Sequence, residues 1–335
     1  MSLTDTPQAE VTHGPAGTRA TSLAWTIVSR FLVRAAELVG FLVLLVVALF
    51  LLARAQGDPA AVLAGPEASP EDVEAIRVLY GLDQPLLIQL LNFLRHFLFF
   101  DFGTSIHEKV PALELALDRL GTTVVLCLIA TVINVAVATP LGLYVGGTGG
   151  RLAWLRKVVS GAVLAAQGVQ YYIVGMLLIA VFAINLRLLP AIGFDRPDSW
   201  VLPSIALAWL AAPRLTRVVA SAASQVYGSE IVHTATAYGL RPGTIRTRYV
   251  LPNVMVPMIA TAGTQFTLLL SGAVIVEGLF GINGLGLLLV VSAQNFDFPT
   301  LAASVTLIGL IVFAVTVISD LLYRLVDPRL RRSGA

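Results

Sequence analysis

The chain has 335 residues, of which 57% are hydrophobic and 13% charged, about half the charged share of a soluble domain, roughly 25%. Mean hydropathy is +0.84, concentrated in long uncharged runs, which excludes a string of soluble domains and indicates an integral membrane protein. A net charge of +2 gives no footing for a nucleic-acid partner. The single cysteine, Cys127, lies inside an apolar run and forms neither an intrachain disulfide nor a thiol-based metal site.

In chain order, residues 1–29 are rich in Thr, Ala and Gly with no apolar patch to bury, so a disordered tail is expected. No apolar stretch with a cleavage site close behind it follows, and the first hydrophobic run is therefore expected to be an anchor and not a removed signal peptide. A membrane-crossing helix needs about 20 mostly apolar residues, and six stretches qualify. They are 38–52 (extended backward past Glu37), 121–144, 158–182, 200–215 (continuing past Arg214), 250–276 and 299–319. The segment between the first two spans is expected to be structured. Ser69 caps a helix with Pro70 in its first turn and Glu71 and Asp72 at its positive end; Gly81 ends it. In the apolar stretch 85–100, Gln89, Asn92 and His96 recur at helical spacing beside Arg95. That is the pattern of an amphipathic helix lying in the interface, not of a seventh span.

Loop charges set the orientation. Arg19, Arg30 and Arg34 precede the first span, and Arg151, Arg156 and Lys157 follow the second. Arg214, Arg217, Arg241, Arg246 and Arg248 follow the fourth against one acid, Glu230. Arg324, Arg329, Arg331 and Arg332 end the chain, whereas the last outer loop carries Glu277 and Asp297 and no base. Both termini are expected in the cytoplasm, with six spans.

The inventory excludes several chemistries. Lys109 and Lys157 are the only lysines and neither follows a glycine, so a phosphate-binding G-x-x-x-x-G-K-[ST] loop is absent. There is no H-E-x-x-H, and His13, His96, His107 and His233 all fall in tails or loops. The span cores contain no ionisable residue, which opposes a proton-driven carrier more strongly than a sodium-driven one using backbone carbonyls.

The stretch between the fourth and fifth spans carries the most information. Ser229 can cap a short helix with Glu230 in its first turn, Gly239 can stop it, and Pro242 prevents its continuation. A second helix then re-enters the membrane at Tyr249–Asn253, and Ala235 and Ala237 are small enough for a partner surface to come close. From the residues alone this is either a protein-docking element or a solvated amphipathic loop whose arginines obey the positive-inside rule. Two further polar groups admit two readings each. Gln167, Gln170 and Tyr171, and likewise Thr261, Thr264 and Gln265, stand at i, i+3, i+4 spacing. They either line a translocation path or make interhelical hydrogen bonds. Glu277 and Asp297 are read as exposed acids, solvated or touching an outside partner.

Ala235, Ala237 and Gly239, with Leu251-Pro252 twelve residues on, resemble the EAA loop of ABC importer permeases. After residue 30 the chain resembles the B-type permease subunit of dipeptide/oligopeptide/nickel importers. The likeness is carried by Gln56-Gly57-Asp58-Pro59, Tyr80-Gly81-Leu82-Asp83-Gln84-Pro85, Asp101-Phe102-Gly103-Thr104-Ser105 and Asp118-Arg119-Leu120 through Pro140-Leu141-Gly142. It continues in Val276-Glu277-Gly278-Leu279-Phe280 and Gly284-Leu285-Gly286-Leu287-Leu288. The resemblance implies an all-α, six-span type I importer permease fold. It divides the chain into a tail at 1–29, a first span at 30–54 and an extracytoplasmic segment at 55–116. A five-helix core follows at 117–324, with its docking loop near 214–252, and a cytoplasmic tail at 325–335. It also implies residence in a bacterial plasma membrane and alternating access without catalysis or a bound cofactor, ATP being used by separate subunits. The partners implied are a homologous second permease, two ATP-binding subunits, an extracytoplasmic solute-binding protein and the lipid bilayer. The docking residues implied are Ser229, Glu230, His233, Ala235, Thr236, Ala237, Gly239, Leu240 and Arg241. One departure stands out: three positions that are commonly basic in the family are His233, Thr236 and Tyr238 here. A sodium-coupled carrier and a non-transporting membrane scaffold are the alternative readings.

Overall fold

The computed structural model describes residues 33, 35–44, 47–48, 50–51, 58–65, 68–79, 82–147, 153–193 and 196–326. The expected tail at 1–29, the pattern residues Gln56-Gly57 and Tyr80-Gly81, Arg151, and the final residues from Asp327 onward lie outside them. The described residues form helices and a single isolated β-bridge, Thr104 to Pro111.

After α1 (Ala35–Leu44), two short helices precede the main bundle, α2 (Pro59–Ala64) and α3 (Pro70–Leu79). Asp58 caps α2 through the amide of Ala60. At α3, Ser69 and Asp72 cap reciprocally: the Asp72 amide donates to Ser69 Oγ, and the Ser69 amide and hydroxyl donate to Asp72 Oδ2. These bonds hold the Asp72 carboxyl below the usual carboxylate range, the Ser69 hydroxyl foremost. Arg77 joins the two helices by donating to Asp58 and to Glu74.

Helix α4 (Leu86–Leu98) buries Gln89 and leaves Asn92 and Arg95 exposed. Gln89 donates to the carbonyls of Leu82 and Gln84, and Asn92 to the Gln84 side chain, while Leu86, Leu87, Ile88 and Leu91 are exposed.

Four helices are long and apolar enough to cross a membrane: α5 (Ala112–Val145), α8 (Val201–Tyr227, preceded by a 3₁₀ turn at Pro197–Trp200), α11 (Leu251–Phe280) and α13 (Phe298–Val326). Pro140, Pro213 and Pro257 sit inside these helices without interrupting them. The stretch expected as a straight third span is instead α6 (Ala153–Ala166) and α7 (Tyr171–Leu178, extended by a π-turn to Asn185), bent by 99°. Residues 167–170 are the break, so Gln167 and the pair Gln170–Tyr171 do not share one helical face. Gly168 and the β-branched Val169 are the poor helix formers at that point. The described residues thus contain four spans, or five if the bent pair counts as one.

Helices α5 and α8 approach closely where glycine removes bulk. A Cβ on Gly142 would lie 2.5 Å from Val219 Cβ, and one on Gly146 would run into the Ala220 carbonyl. This small-residue contact suits membrane helices, which gain little from hydrophobic burial against lipid. Asn134 of α5 donates to Gln265 of α11 at 3.1 Å, and Gln265 donates to the Ala211 carbonyl of α8 at 3.0 Å. One buried amide pair thereby fastens three helices.

Candidate functional site

The connection from α8 to α11 builds a small appendage on the bundle. Helix α9 (Glu230–Ala237) begins after Ser229, which has extended backbone geometry. The Ser229 hydroxyl donates back to the Val226 carbonyl at 2.7 Å instead of capping α9, so its backbone but not its side chain has the expected role. The helix ends at Gly239, whose φ is +75°. The Gly239 amide reaches the Thr236 carbonyl and the Leu240 amide reaches the Ala235 carbonyl. Together these form the Schellman closure that glycine permits. Pro242 starts α10 (Pro242–Ile245), and a π-turn, Arg246–Val250, carries the chain into α11.

Val232, Ala235 and Ile245 are buried in a cluster with Leu215, Val219 and Ala223 of α8 and Val250 and Val254. Ala235 is 5% exposed and therefore faces its own chain, which corrects the expectation that a partner surface reaches it. The outward face carries Glu230, Ile231, His233, Thr236, Ala237, Tyr238, Leu240 and Arg241, all exposed, with Ser229 partly covered. Tyr238, at 82% exposure, is its most prominent side chain. Thr236 is exposed, and its hydroxyl donates to the Val232 carbonyl. The loop is thus clamped to the bundle by one apolar stripe and presents the other side outward.

The helix break forms a second polar region. Gln167, Gln170 and Tyr171 line a cavity of about 200 Å³ together with Trp209 and Arg214. Arg214 also borders a cavity of about 490 Å³ alongside Ser160, Arg217 and Ser221. Arg217 donates to Gln167 Oε1 at 3.4 Å, and Trp209 Nε1 donates to the Val169 carbonyl at 3.2 Å. Sequence reasoning treats Arg214 and Arg217 only as topology markers; the bend that brings residues 167–170 onto α8 gives them their neighbours. On α11, Thr261 and Thr264 bond to backbone carbonyls of their own helix, and Thr264 is exposed. Gln265 is enclosed between α5, α8 and α11 and makes the interhelical bonds already described.

The two acids expected to be exposed are buried, which is a correction. Glu277 is fully buried because α11 runs on to Phe280, past the expected span end, and turns this residue inward. Its carboxylate accepts from the Thr123 hydroxyl and from the Leu287 amide at the start of α12 (Leu285–Gln294). Gly284 is needed there, since a Cβ would lie 2.3 Å from Glu277 Cδ. Asp297 accepts from the Ser105 hydroxyl at 2.5 Å and from the Thr300 hydroxyl and amide, pinning the 103–105 segment to the start of α13. Among the described residues, no group of three or more His, Cys, Asp or Glu is placed to hold a metal ion.

Comparison with known proteins is consistent with this arrangement. Residues 138–332 match the family model described as binding-protein-dependent transport system inner membrane component, and residues 28–127 match the model for the N-terminal part of such components. The chain is 33% identical over 277 residues to the glutathione transport system permease protein GsiC of Salmonella choleraesuis, covering 82% of this chain and 89% of that one. It is 31% identical over 309 residues to a putative peptide transport system permease protein of Brucella abortus, covering 89% and 97% respectively. A solved structure of the MetNI methionine ABC transporter, described as inward facing, matches with a TM-score of 0.55 at 20% identity. That match covers 65% of this chain and 98% of the other, and it shows the fold alone.

Proposed function

The chain belongs to the binding-protein-dependent transport system inner membrane component family, and from that premise we propose how this permease subunit of an ABC importer does its work. It forms half of a channel with a homologous second permease in a bacterial plasma membrane. Two ATP-binding subunits dock below, and an extracytoplasmic binding protein delivers solute above. The chain itself holds no cofactor and hydrolyses no ATP. The four long helices, the bent α6–α7 pair and the span containing α1 make six crossings. Both termini are cytoplasmic, as the arginine-rich loops require, and α2 to α4 lie outside.

The observation that carries this reading is the clamped loop from Ser229 to Pro252. Val232, Ala235 and Ile245 fix α9 to the ends of α8 and α11. A push on its exposed face by Ile231, Ala237 and Tyr238 is therefore passed to two spans as a rigid-body motion. This is the coupling that alternating access needs: ATP binding closes the ATPase pair, and the loop moves the helices. Gln167, Gln170, Tyr171, Thr261 and Thr264 are the path-lining candidates in this reading, while Gln265 holds the helices together. The relatives named for glutathione and peptide transport point to short peptides or related small solutes.

Purification of the tagged chain from its native membrane in mild detergent tests the assembly. Recovery with an ATPase pair and a second permease is expected. Recovery alone, under conditions that preserve other membrane complexes, contradicts it.

A further inference from the structure

Non-helical backbone at membrane depth is tolerated only where it is enclosed by protein or borders a water-filled cavity. In secondary transporters such breaks mark where solute is held, and the same physical reason applies to any helix broken beside a cavity. The break at 167–170 meets α8 beside Trp209, 18 residues from Tyr227. At 1.5 Å per residue that is about 27 Å from this end of the helix, so the break is not at the loop edge of the bundle. Two cavities open there, and Arg214 borders both. Arg214 is exposed although its neighbours Pro213, Leu215 and Thr216 are all buried. Arg217 stands one turn further along the same face and is already oriented by Gln167. Neither cavity is lined by any Asp or Glu. Among the described residues neither arginine has a carboxylate partner.

Two cations on one wall with no anion to balance them form a site for an anion brought from elsewhere. The planar guanidinium fork fits a carboxylate with two parallel hydrogen bonds. Gln167 and Gln170 add amides able to accept as well as donate; their acceptor oxygens suit the N–H groups of a peptide, which a phosphodiester lacks. The first turn of α7 opens at Gln170 with no side-chain cap, and its positive dipole end adds to the same potential. We propose that Arg214, supported by Arg217, Gln167 and Gln170, binds the carboxylate of the transported solute inside the permease. The solute class is then a short peptide or peptide-like acid with a free terminal carboxylate, selected here as well as by the binding protein. This rests on the permease reading above but is tested without the partner subunits.

The full-length chain, carrying Trp25→Phe, Trp154→Phe and Trp200→Phe so that Trp209 reports alone, is placed in phosphatidylcholine nanodiscs. It is titrated with tri-alanine and with tri-alanine amide. Tri-alanine should change Trp209 fluorescence saturably, and the amide should bind about tenfold more weakly, the value of a charge-assisted contact. Arg214→Gln should lose the same factor for tri-alanine and leave the amide unaffected, and Arg214→Lys should recover part of the loss; circular dichroism confirms that each variant is folded. Equal affinity for acid and amide, or no saturable response in the unsubstituted site, overturns the proposal. Abolition of the response when phosphatidylglycerol is mixed into the nanodisc assigns the site to a lipid phosphate and overturns it too. None of these results bears on copurification with ATPases, so failure here and failure of the permease reading remain distinguishable.

Discussion

The hydroxyl of Thr123 on α5 donates to Glu277 Oε1 on α11 at 2.6 Å across 154 residues of sequence. The same Thr123 oxygen accepts the Leu285 amide at 2.8 Å, and Glu277 Oε2 accepts the Leu287 amide at 2.9 Å. One carboxylate therefore ties α5, α11 and the start of α12. Glu277→Ala strands the Thr123 hydroxyl and the Leu287 amide in a water-poor site. At about 1–3 kcal/mol for each unsatisfied group, thermal unfolding in nanodiscs should shift down by several degrees. Glu277→Gln, which keeps shape and one acceptor, should shift it far less. Equal midpoints for wild type and Glu277→Ala would show that the network is not holding the helices.

The turn at Gly239 gives a second prediction. Its φ of +75° lies in the left-handed region, although no atom lies within 4 Å of an added Cβ. The obstacle is backbone strain and not a clash. Gly239→Val should cost about 1–2 kcal/mol locally and misdirect the chain through Arg241 and Pro242. Asn, which tolerates this conformation, should be milder. Solute-stimulated ATP hydrolysis by the reconstituted transporter should fall sharply for Val and slightly for Asn, with membrane insertion unchanged. Wild-type stimulation by a correctly inserted Gly239→Val would remove the loop from the coupling route.

Ala235 and Ala237 should behave differently although they are two residues apart. Ala235→Asp buries a carboxylate among Val219, Ala223 and Ile245. It should release α9 from the bundle, seen as faster hydrogen exchange over 230–245 in the isolated chain. Ala237→Asp is on the open face and should leave that exchange alone while weakening association with the ATPase. Unchanged exchange in Ala235→Asp would contradict the clamp.

Orientation is testable by single-cysteine labelling of intact cells in a Cys127→Ala background. Glu71→Cys, at the start of α3, should react with a membrane-impermeant maleimide, and Arg246→Cys should react only after permeabilisation. The reverse pattern would invert the proposed topology.

Much of this architecture is legible in the sequence because the spans are long apolar runs and the loop carries its own punctuation, Gly239 and Pro242. The capping pair Ser69–Asp72 is equally local and equally readable. What escapes sequence reading depends on contacts between distant elements. The 158–182 run is apolar apart from Ser160, Gln167 and Gln170, too few polar residues to signal by composition that the chain turns by 99° at Gln167. Glu277 and Asp297 look like loop acids until Thr123 and Ser105, more than 150 residues away, are seen to bond them. Ala235 looks like a docking surface because small residues permit close approach to a partner and to the chain's own core alike. Periodicity along one helix cannot separate these.

The most direct measurement is solute uptake into proteoliposomes holding this chain with the proposed second permease and ATPase pair, the binding protein and labelled short peptide being supplied on the side proposed for α2 to α4. The account predicts uptake that requires ATP on the opposite side and is indifferent to a sodium gradient. It should stop when the chain carries Gly239→Val. Uptake driven by a sodium gradient without ATP, or ATP-driven uptake at an unchanged rate when this chain is left out, would contradict it.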